Sequence, residues 1–451
     1  MAEHRFSVLH VATELGQVGG HTRILFQMLR RSNDPQQAVV VTRQQREKIP
    51  DWFIAGIGST PVITLEPGQT LVERAATLRR LRERSRLVML YHHPWDALPV
   101  IAFAQGGGGA VLLENHAHSW FWLGCSVADL VVSHSRFHTR FTRDNRPVRA
   151  VRHLPFTQLE ELAPAVTPEQ KQRARQQLAI PTDCVCLISI GTAEKFVPNG
   201  EYNFYRTARK ILARFPQARL YIIGSEADPQ YPVADERIRF LGYVSDPVSY
   251  YLAADICLDA MPQPSLGATL YAALVGMACP LYKYGAGRVF NGCSFIDARR
   301  YHEYLGDPLD EATYLNQLGF LIANPQVRQE ITSEIRQRYL RRHNGKRLTQ
   351  QLLRLFQLSG ALPHCPAPLP DGICHKDIDS VEIAAASALQ TLPEALQYFD
   401  AYLSRMDKLR ILVRLLITPG HTSDVLLYCS RYLAHRAMGL FPCSPSLQGN
   451  N

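Results

Sequence analysis

The sequence predicts an α/β protein with two domains of similar size, because strand-like and helix-like segments alternate twice along its 451 residues. The first alternation occupies residues 1–153 and the second occupies residues 154–358. The junction, residues 154–166, contains two prolines and is typical of a linker. A second proline-rich stretch, residues 362–372, precedes residues 373–440, whose apolar spacing predicts a C-terminal helical extension.

In the first domain, short apolar segments predict the strands of a buried parallel sheet, and segments with apolar residues at helical spacing predict the helices that cover it. Ligands of such sheets bind beyond the carboxyl ends of the strands. The predicted strands are 6–12, 38–42, 62–65, 87–91, 110–113 and 130–133, and predicted helices between them include 70–84, 95–104 and 134–143.

A glycine-rich loop connects the first predicted strand to a helix. Gly16, Gly19 and Gly20 lack a Cβ, so their backbone can approach a ligand closely. The spacing is not GxGxxG, and the second strand is followed by Arg43 rather than by the acidic residue that would bind a ribose. The sequence therefore disfavours a dinucleotide-binding domain.

Histidines and other polar residues follow four of the predicted strands. Because the carboxyl ends of parallel strands meet at one edge of a sheet, we expect these side chains to lie close together and at least one of them to have a functional role. The residues are His21, His92, His93, Asp96, Glu114, Asn115, His116, His118, His134 and Ser135.

A zinc site formed by His92, His116 and His118 is an alternative interpretation of these histidines. The sequence has no HExxH spacing on a helix, however, and we expect no metal.

Residues 135–153 carry six arginines and one acidic residue, Asp144, with Phe137 and Phe141 among them. This segment is either a solvated basic face or a contact surface for an anionic acceptor or a membrane.

The second domain repeats the pattern, with glycines at several strand ends. Thr167 to Gln170 predicts a helix start, because a capping hydroxyl precedes a proline and a glutamine. The predicted strands are 185–190, 220–223, 238–241 and 253–258, and later helices are predicted at 309–322, 325–342 and 344–358.

Residues 259–280 follow the last of these strands and turn on two prolines before a helix of small residues. Unpaired N–H groups and the positive end of the helix dipole at such a turn can bind a phosphate. An ordinary strand–helix connection is the alternative.

The net charge of +9 suits an acidic partner such as a nucleotide or a phospholipid surface. Since the sequence contains no nucleic-acid-binding motif, we expect no nucleic acid partner. The ten cysteines form no CxxC pair, which favours free buried thiols and a reducing compartment. With the first strand close to the N-terminus and no long apolar stretch, we expect a cytoplasmic protein, free or attached to a membrane surface.

The layout of residues 6–358 resembles a GT-B glycosyltransferase, in which two Rossmann-like domains face each other across a cleft. The first half is closest in pattern to the retaining enzymes of glycosyltransferase family 4. Gly19 and Gly20 are similar to the N-terminal glycine loop of that family. His116 falls where the family has an active-site histidine near the transferred sugar.

The same resemblance extends to the second domain. Gly191 and Lys195 are similar to the loop whose basic residue holds the donor diphosphate, and Gly242 with Tyr243 occupies the position where the backbone meets the nucleotide base. Residues 259–280 depart from the family, because neither alignment of this segment supplies the two glutamates of its pattern.

That segment instead resembles the diphosphate segment of the inverting O-linked N-acetylglucosamine transferases of family 41, although the second threonine and the aspartate of that segment are missing. The resemblance rests on Asp255 to Asp259, Gly267, Thr269, Leu274, Gly276 and Pro280. It implies that the N–H groups of Gly267, Ala268 and Thr269, with the Thr269 hydroxyl, hold a diphosphate.

The resemblances together imply a metal-independent glycosyltransferase whose nucleotide-sugar donor is a substrate and which needs no cofactor. The acceptor is a glycan, a lipid or a protein. Lys195, and less directly Arg23, would stabilise the leaving diphosphate. In an inverting reaction a base takes the acceptor proton; in a retaining reaction His116 positions the sugar. The candidate bases are His116, His118, Asp96 and Glu14. The alternative is a GT-B-fold protein that has lost catalysis and serves as a binding or partner subunit.

Overall fold

The computed structural model divides the chain into two compact units. The first contains residues 1–155 and the described residues from 348 onwards, and the second contains residues 156–347. Residues 348–358, which the sequence pattern placed in the second domain, therefore lie with the first unit. The predicted extension at 373–440 lies outside the described residues, which are 5–17, 20–65, 68–116, 122–134, 136–155, 166–198, 202–232, 235–245, 247–262, 264–280, 310–343 and 345–366.

The first unit is built on a parallel sheet whose seven described strands have the order β3-β2-β1-β4-β5-β6-β7. The strands are β1 (Val8–Ala12), β2 (Gln37–Val41), β3 (Val62–Thr64), β4 (Leu87–Tyr91), β5 (Ala110–Glu114), β6 (Leu130–Ser133) and β7 (Val151–His153). The described helices of this part are α1 (Gly20–Ser32), α2 (Asp51–Ile57), α3 (Leu71–Glu83), α4 (Ala97–Phe103) and α5 (Arg136–Asn145).

The central strands of this sheet are mostly apolar because helices cover both faces of a parallel sheet. All five residues of β1, β2, β4 and β5 are buried. Helix α3 begins with a capping box in which the Thr70 hydroxyl accepts from Glu73 N–H and the Glu73 carboxylate accepts from Thr70 N–H. The core formed by these elements fixes the strand ends on which the polar residues lie.

Residues 348–366 complete the first unit by packing back onto it. The His364 ring lies 2.7 Å from Asp129 Oδ2 through Nδ1 and 2.8 Å from the Phe103 carbonyl oxygen through Nε2. The Cys365 N–H donates to Asp129 Oδ1 at 2.9 Å. The Phe356 ring meets the buried His10 ring edge-on. Residues 348–366 thus shield Asp129, which directly precedes β6, from solvent.

The second unit has a parallel sheet with the order β10-β9-β8-β11 in the part of the chain that the structure describes. Its strands are β8 (Val185–Ile190), β9 (Ala218–Ile223), β10 (Ile238–Phe240) and β11 (Ile256–Cys257). Its described helices are α6 (Pro168–Gln177), α7 (Phe204–Arg214), α8 (Val248–Ala253), α9 (Leu266–Val275), α10 (Glu311–Ala323), α11 (Pro325–Arg342) and the start of α12 (Gly345–Ser359).

Asp255, just before β11, is the centre of a buried ion cluster. It accepts from Arg175 Nη2 at 2.6 Å and from Cys186 N–H at 2.7 Å, and it pairs with Lys171. Arg328 adds a longer contact of 3.6 Å. The cluster fixes α6 and α11 against the strand that leads into residues 259–280.

In each sheet the strand order reverses at one place. The chain first adds strands on one side of its first strand and then continues on the other side. In the first sheet this place lies between β1 and β4, and in the second it lies between β8 and β11. A crevice opens beyond the strand ends at such a point, and ligands of open α/β sheets bind there. The candidate residues of both units lie at or beside these two points.

Candidate functional site

The structure brings the strand-end histidines of the first unit together, as the sequence pattern predicts. The His21 ring, at the start of α1, lies 4.2 Å from the His116 ring beyond β5 and 5.6 Å from the His93 ring beyond β4, measured between ring centroids. Glu114, the last residue of β5, contacts both His116 and His134. We call His21, Glu114, His116 and His134 the histidine cluster.

Glu114 is the centre of this cluster. Its buried Oε1 lies 2.7 Å from His134 Nε2, and its Oε2 lies 3.2 Å from His116 Nδ1. The other nitrogen of His134, Nδ1, is 3.0 Å from the Leu154 carbonyl oxygen. The carboxylate therefore fixes the His116 ring through Nδ1, and Nε2 is the ring nitrogen directed away from the carboxylate. A carboxylate-oriented imidazole of this kind can act as a base or bind a hydroxyl group.

The electrostatics of this region favour an ionised Glu114 close to neutral His21 and His93 rings. Burial by itself would raise the pKa of Glu114, but the hydrogen bonds from His116 and His134 outweigh burial and hold its pKa below the usual range. Burial lowers the pKa of His21 well below its usual value and that of His93 to about 4, with neighbouring histidines adding to both shifts. His21 and His93 are therefore neutral at pH 7.

Asp96, a candidate base, serves a structural role instead. Its buried carboxylate accepts from the hydroxyls of Thr13 and Thr42 at 2.7 Å each and caps α4 through the Leu98 N–H at 3.0 Å. These bonds join the ends of β1, β2 and β4. Glu14, another candidate, lies 3.9 Å from His93 and is not part of the cluster.

Two predicted site residues, Gly19 and His118, lie outside the described residues. Gly20 is the first residue of α1, and a Cβ on it would meet no atom within 4 Å. The Arg23 guanidinium stacks over the Trp52 ring at 5.4 Å.

In the second unit, Lys195 and the start of α9 meet at the crevice between β8 and β11. Lys195 Nζ donates to the Pro264 carbonyl oxygen at 3.0 Å. Burial lowers the pKa of Lys195, and the carboxylates of Asp259 and Glu194 oppose that shift. We call Gly191, Lys195, Ser265 and the first turn of α9 the lysine site.

Gly191 allows the two sides of the lysine site to approach. A Cβ at Gly191 would lie 2.9 Å from Ser265 Oγ, 3.2 Å from Lys195 Cδ and 3.3 Å from Ala260 Cβ. Any side chain here would fill the space between the lysine and α9.

Ser265, which the sequence pattern did not single out, is a further candidate. It precedes α9, and its N–H donates to Asp259 Oδ1 at 2.7 Å. Its hydroxyl is buried yet has no hydrogen-bond partner among the described residues. A buried hydroxyl without a partner costs about 1–3 kcal/mol unless a ligand satisfies it. The only signal in the sequence is a serine directly before a helix.

The predicted phosphate-binding groups of α9 divide into two sets. Gly267 and Ala268 lie in the first turn, as expected. The Thr269 N–H instead donates to the Ser265 carbonyl oxygen at 3.1 Å, and its hydroxyl, fully buried, lies 3.1 Å from the Leu266 carbonyl oxygen. The helix itself therefore occupies both Thr269 donors, whereas the Ser265 hydroxyl has no partner among the described residues. The phosphate-binding role of Thr269 stays a prediction.

Glycines also shape the edge of this sheet beyond β9 and β10. Gly224 has a φ of +88°, and a Cβ there would lie 2.7 Å from the Gly191 carbonyl oxygen. Its N–H donates to the Gly242 carbonyl oxygen at 2.7 Å. Tyr243 follows with 60% of its surface exposed. The ends of β8, β9 and β10 thus bring glycine backbone close together.

The basic segment of the first unit, residues 135–153, contains α5 and β7. Arg140, Arg143, Arg149 and Arg152 are exposed. Arg140 pairs with Asp144 at 3.6 Å, and Arg149 lies 3.3 Å from Asp129. None of the described helices is long and apolar enough to cross a membrane.

Several solved structures share this architecture. HepE of Anabaena, in complex with UDP and glucose, has 15% sequence identity and a TM-score of 0.62, over 78% of this chain and 99% of that one. A glycosyltransferase of Rickettsia africae has 10% sequence identity and a TM-score of 0.60, over 78% of this chain and 98% of that one. A mutant O-GlcNAc transferase of Thermobaculum terrenum has 14% sequence identity and a TM-score of 0.53, over 79% of this chain and 68% of that one.

The protein therefore has the GT-B fold predicted from its sequence. No protein-family model and no curated protein sequence matches the chain. The finer resemblances, to family 4 in the first half and to family 41 in residues 259–280, stay predictions.

Proposed function

We propose that the protein is a glycosyltransferase that moves a sugar from a nucleotide-diphosphate donor to a glycan, lipid or protein acceptor. The observation that carries the proposal is the lysine site, where Lys195 lies beside a buried, unpartnered Ser265 hydroxyl at the start of α9. A cation, a free hydroxyl and a helix N-terminus together match the oxygens of a diphosphate. HepE, whose fold this chain shares, was solved with UDP and with UDP-glucose.

In this proposal the lysine site binds the donor diphosphate. As the bond to the sugar breaks, negative charge grows on the leaving diphosphate, and donors that are already in place stabilise that charge. Lys195 and Ser265 are such donors, and Gly191, which has no side chain, lets the two approach each other closely. These groups supply the charge stabilisation without a metal.

His116 has the role of the acid–base or positioning residue in the first unit. Glu114 fixes its ring through Nδ1, at 3.2 Å, so Nε2 is directed away from the carboxylate. In an inverting reaction Nε2 takes the proton of the acceptor hydroxyl. In a retaining reaction it binds a hydroxyl of the transferred sugar. Gly20 and Tyr243 contribute to donor binding through backbone and ring contacts.

For a lipid acceptor, the exposed arginines of residues 135–153 provide a peripheral membrane contact. Arg140, Arg143 and Arg152 are exposed on that segment. Basic side chains close to an anionic membrane contribute about 1 kcal/mol each to association.

The test is nucleotide release from a panel of nucleotide sugars, including UDP-glucose, with binding of each nucleoside diphosphate measured in parallel. We expect one donor to be bound and turned over, and Lys195→Ala to lower turnover by about 10²-fold because one charge-stabilising donor is lost. Lys48→Ala, which removes an exposed lysine of the first unit, is the matched control and should leave turnover unchanged. Absence of binding and turnover with every donor would overturn the proposal.

A second candidate, a catalytically inactive binding or partner subunit, is favoured by residues 259–280. Pro264 and Ala272, or Ser265 and Ala273, stand where family 4 enzymes carry glutamates. This candidate predicts that nucleoside diphosphates bind at the lysine site but that no donor is turned over with any acceptor.

A further inference from the structure

Three side chains of the histidine cluster have the composition of a metal site. His21, Glu114 and His116 each offer one nitrogen or oxygen atom, and these atoms all lie within 4.8 Å of one another. Two imidazoles and one carboxylate form the ligand set of several zinc sites that keep an open fourth position. Nitrogen ligands of this kind favour zinc or cobalt over magnesium or calcium.

The spacing of two of these atoms already suits a tetrahedral ion. Metal–ligand distances of about 2.0–2.1 Å place the ligands of a tetrahedral zinc ion roughly 3.3 Å apart. His116 Nδ1 and Glu114 Oε2 are 3.2 Å apart. The third ligand, His21, needs to approach by about 1–2 Å to meet the same geometry, a shift that rotation of one side chain can provide.

His21 supplies an independent observation that points to a ligand. Its Nε2 is buried and has no hydrogen-bond partner among the described residues. The ring lies only 4.2 Å from the His116 ring, in a tilted arrangement without a hydrogen bond between the two nitrogens. A buried imidazole nitrogen without a partner is costly unless something binds it. A metal ion would satisfy it.

The carboxylate is also supported from behind, as ligands in metal sites commonly are. His134 Nε2 holds Glu114 Oε1 at 2.7 Å, and His134 Nδ1 faces the Leu154 carbonyl oxygen at 3.0 Å. Such outer contacts fix the orientation of a ligating carboxylate and strengthen metal binding. One oxygen of Glu114 is thus held in place while the other faces His116.

We propose that His21, Glu114 and His116 bind a zinc ion, and that this ion inhibits the protein by occupying His116. The first part does not depend on the proposed function, because metal binding is measured directly. The second part rests on it, since inhibition follows only if His116 acts in sugar transfer. An ion bound to His116 Nδ1 would replace the contact with Glu114 and leave the ring proton on Nε2, so that Nε2 could no longer act as a base.

The binding test uses the full-length, reduced chain titrated with Zn²⁺ by calorimetry and with Co²⁺ by visible absorption, which separates nitrogen and oxygen ligands from thiolates. We expect His21→Ala to lower the affinity of one metal equivalent at least tenfold. His116→Ala is a second variant with the same expected loss, and circular dichroism checks that both fold. His153→Ala removes an exposed histidine that is not a proposed ligand and whose Nε2 meets the His134 backbone carbonyl oxygen at 3.3 Å; it is the control and should bind as the wild type does.

The proposed zinc site is wrong if the wild type and His21→Ala bind zinc alike, or if His153→Ala loses as much affinity as His21→Ala. The inhibition is tested by nucleotide release, which zinc should suppress at the concentration that fills the site and which a chelator should restore. Zinc binding in a protein that turns over no donor would refute the proposed function while leaving the metal site intact. Turnover that is insensitive to zinc at a filled site would refute the inhibition.

Discussion

The histidine cluster and the lysine site both lie beyond the carboxyl ends of parallel strands, but they are built from different chemical groups. In the first unit, the site consists of ionisable side chains linked by a buried carboxylate, Glu114. In the second, glycine backbone and a helix start surround one cation, Lys195. The first arrangement suits proton transfer and the second suits an anion, so we expect substitutions in the two places to affect different steps.

The largest expected effect is on turnover. His116→Ala removes the oriented imidazole, and we expect the rate of nucleotide release to fall about 10²–10⁴-fold while UDP binds with unchanged affinity. Lys195→Ala, in contrast, should also weaken UDP binding. Both quantities come from steady-state kinetics and calorimetry on the same samples. A loss of UDP affinity in His116→Ala would show that the division of roles is wrong.

A side chain at Gly224, beyond β9, should destabilise the second unit. Gly224→Ala forces a Cβ to within 2.7 Å of the Gly191 carbonyl oxygen at a φ of +88°. We expect it to lower the free energy of unfolding by about 2 kcal/mol. Gly68→Ala, where a Cβ meets nothing within 4 Å, is the control and should change stability little. Equal stability of the two variants in urea unfolding would contradict the close approach.

Two buried histidines outside the histidine cluster, His93 and His10, should make the stability of the first unit depend on pH below neutrality. Burial holds the pKa of His93 at about 4 in the folded protein, below the usual 6.5, so the unfolded chain takes up the proton first as pH falls. Stability is therefore full above pH 6.5 and declines between 6.5 and 4, by about 1 kcal/mol per pH unit from this group.

His93→Gln should reduce the change of stability with pH by about 1 kcal/mol per pH unit. Urea unfolding of the wild type and the variant at pH 4.5, 5.5 and 7 would measure this difference. His10, whose pKa burial lowers to about 3, contributes in the same direction and stays in the variant. An unchanged slope in His93→Gln would mean that this histidine is already charged in the folded protein.

The smallest expected effects distinguish the role of the Ser265 hydroxyl from that of the Thr269 hydroxyl. Ser265→Ala should weaken UDP binding about fivefold, the value of roughly 1 kcal/mol for one hydrogen bond, without loss of stability. Thr269→Val should leave UDP binding unchanged and cost about 1 kcal/mol of stability, since the helix uses that hydroxyl. Calorimetry and thermal unfolding of both variants provide the comparison. The reverse result would restore Thr269 as the donor.

The sequence predicted most strands and helices of both units because buried parallel strands and amphipathic helices have distinct periods. Helix α12, predicted at 344–358, spans Gly345–Ser359. Strand β7, Val151–His153, was not anticipated, since three residues within an arginine-rich segment carry no strand period. Helix α2, Asp51–Ile57, was missed for a similar reason, because seven residues are too few to show a helical period.

At the candidate sites, the sequence identified residue types at strand ends but not their partners. It predicted that the histidines meet, which a parallel sheet requires. It did not reveal that Glu114 joins His116 to His134, because that link depends on the neighbouring positions of β5 and β6. The sequence also did not reveal the phase of α9, which places Thr269 on the buried face of the helix.

Residues 348–365 pack onto the first unit, and this packing also affects the order in which the two units can fold completely. Asp129 and His364 are 235 residues apart in the chain. The whole described sheet of the second unit must be synthesised before the hydrogen bond between them can form. Contacts across so long a loop close slowly, since the chain loses much freedom in forming them. The unit that begins the chain is thus the later of the two to be finished.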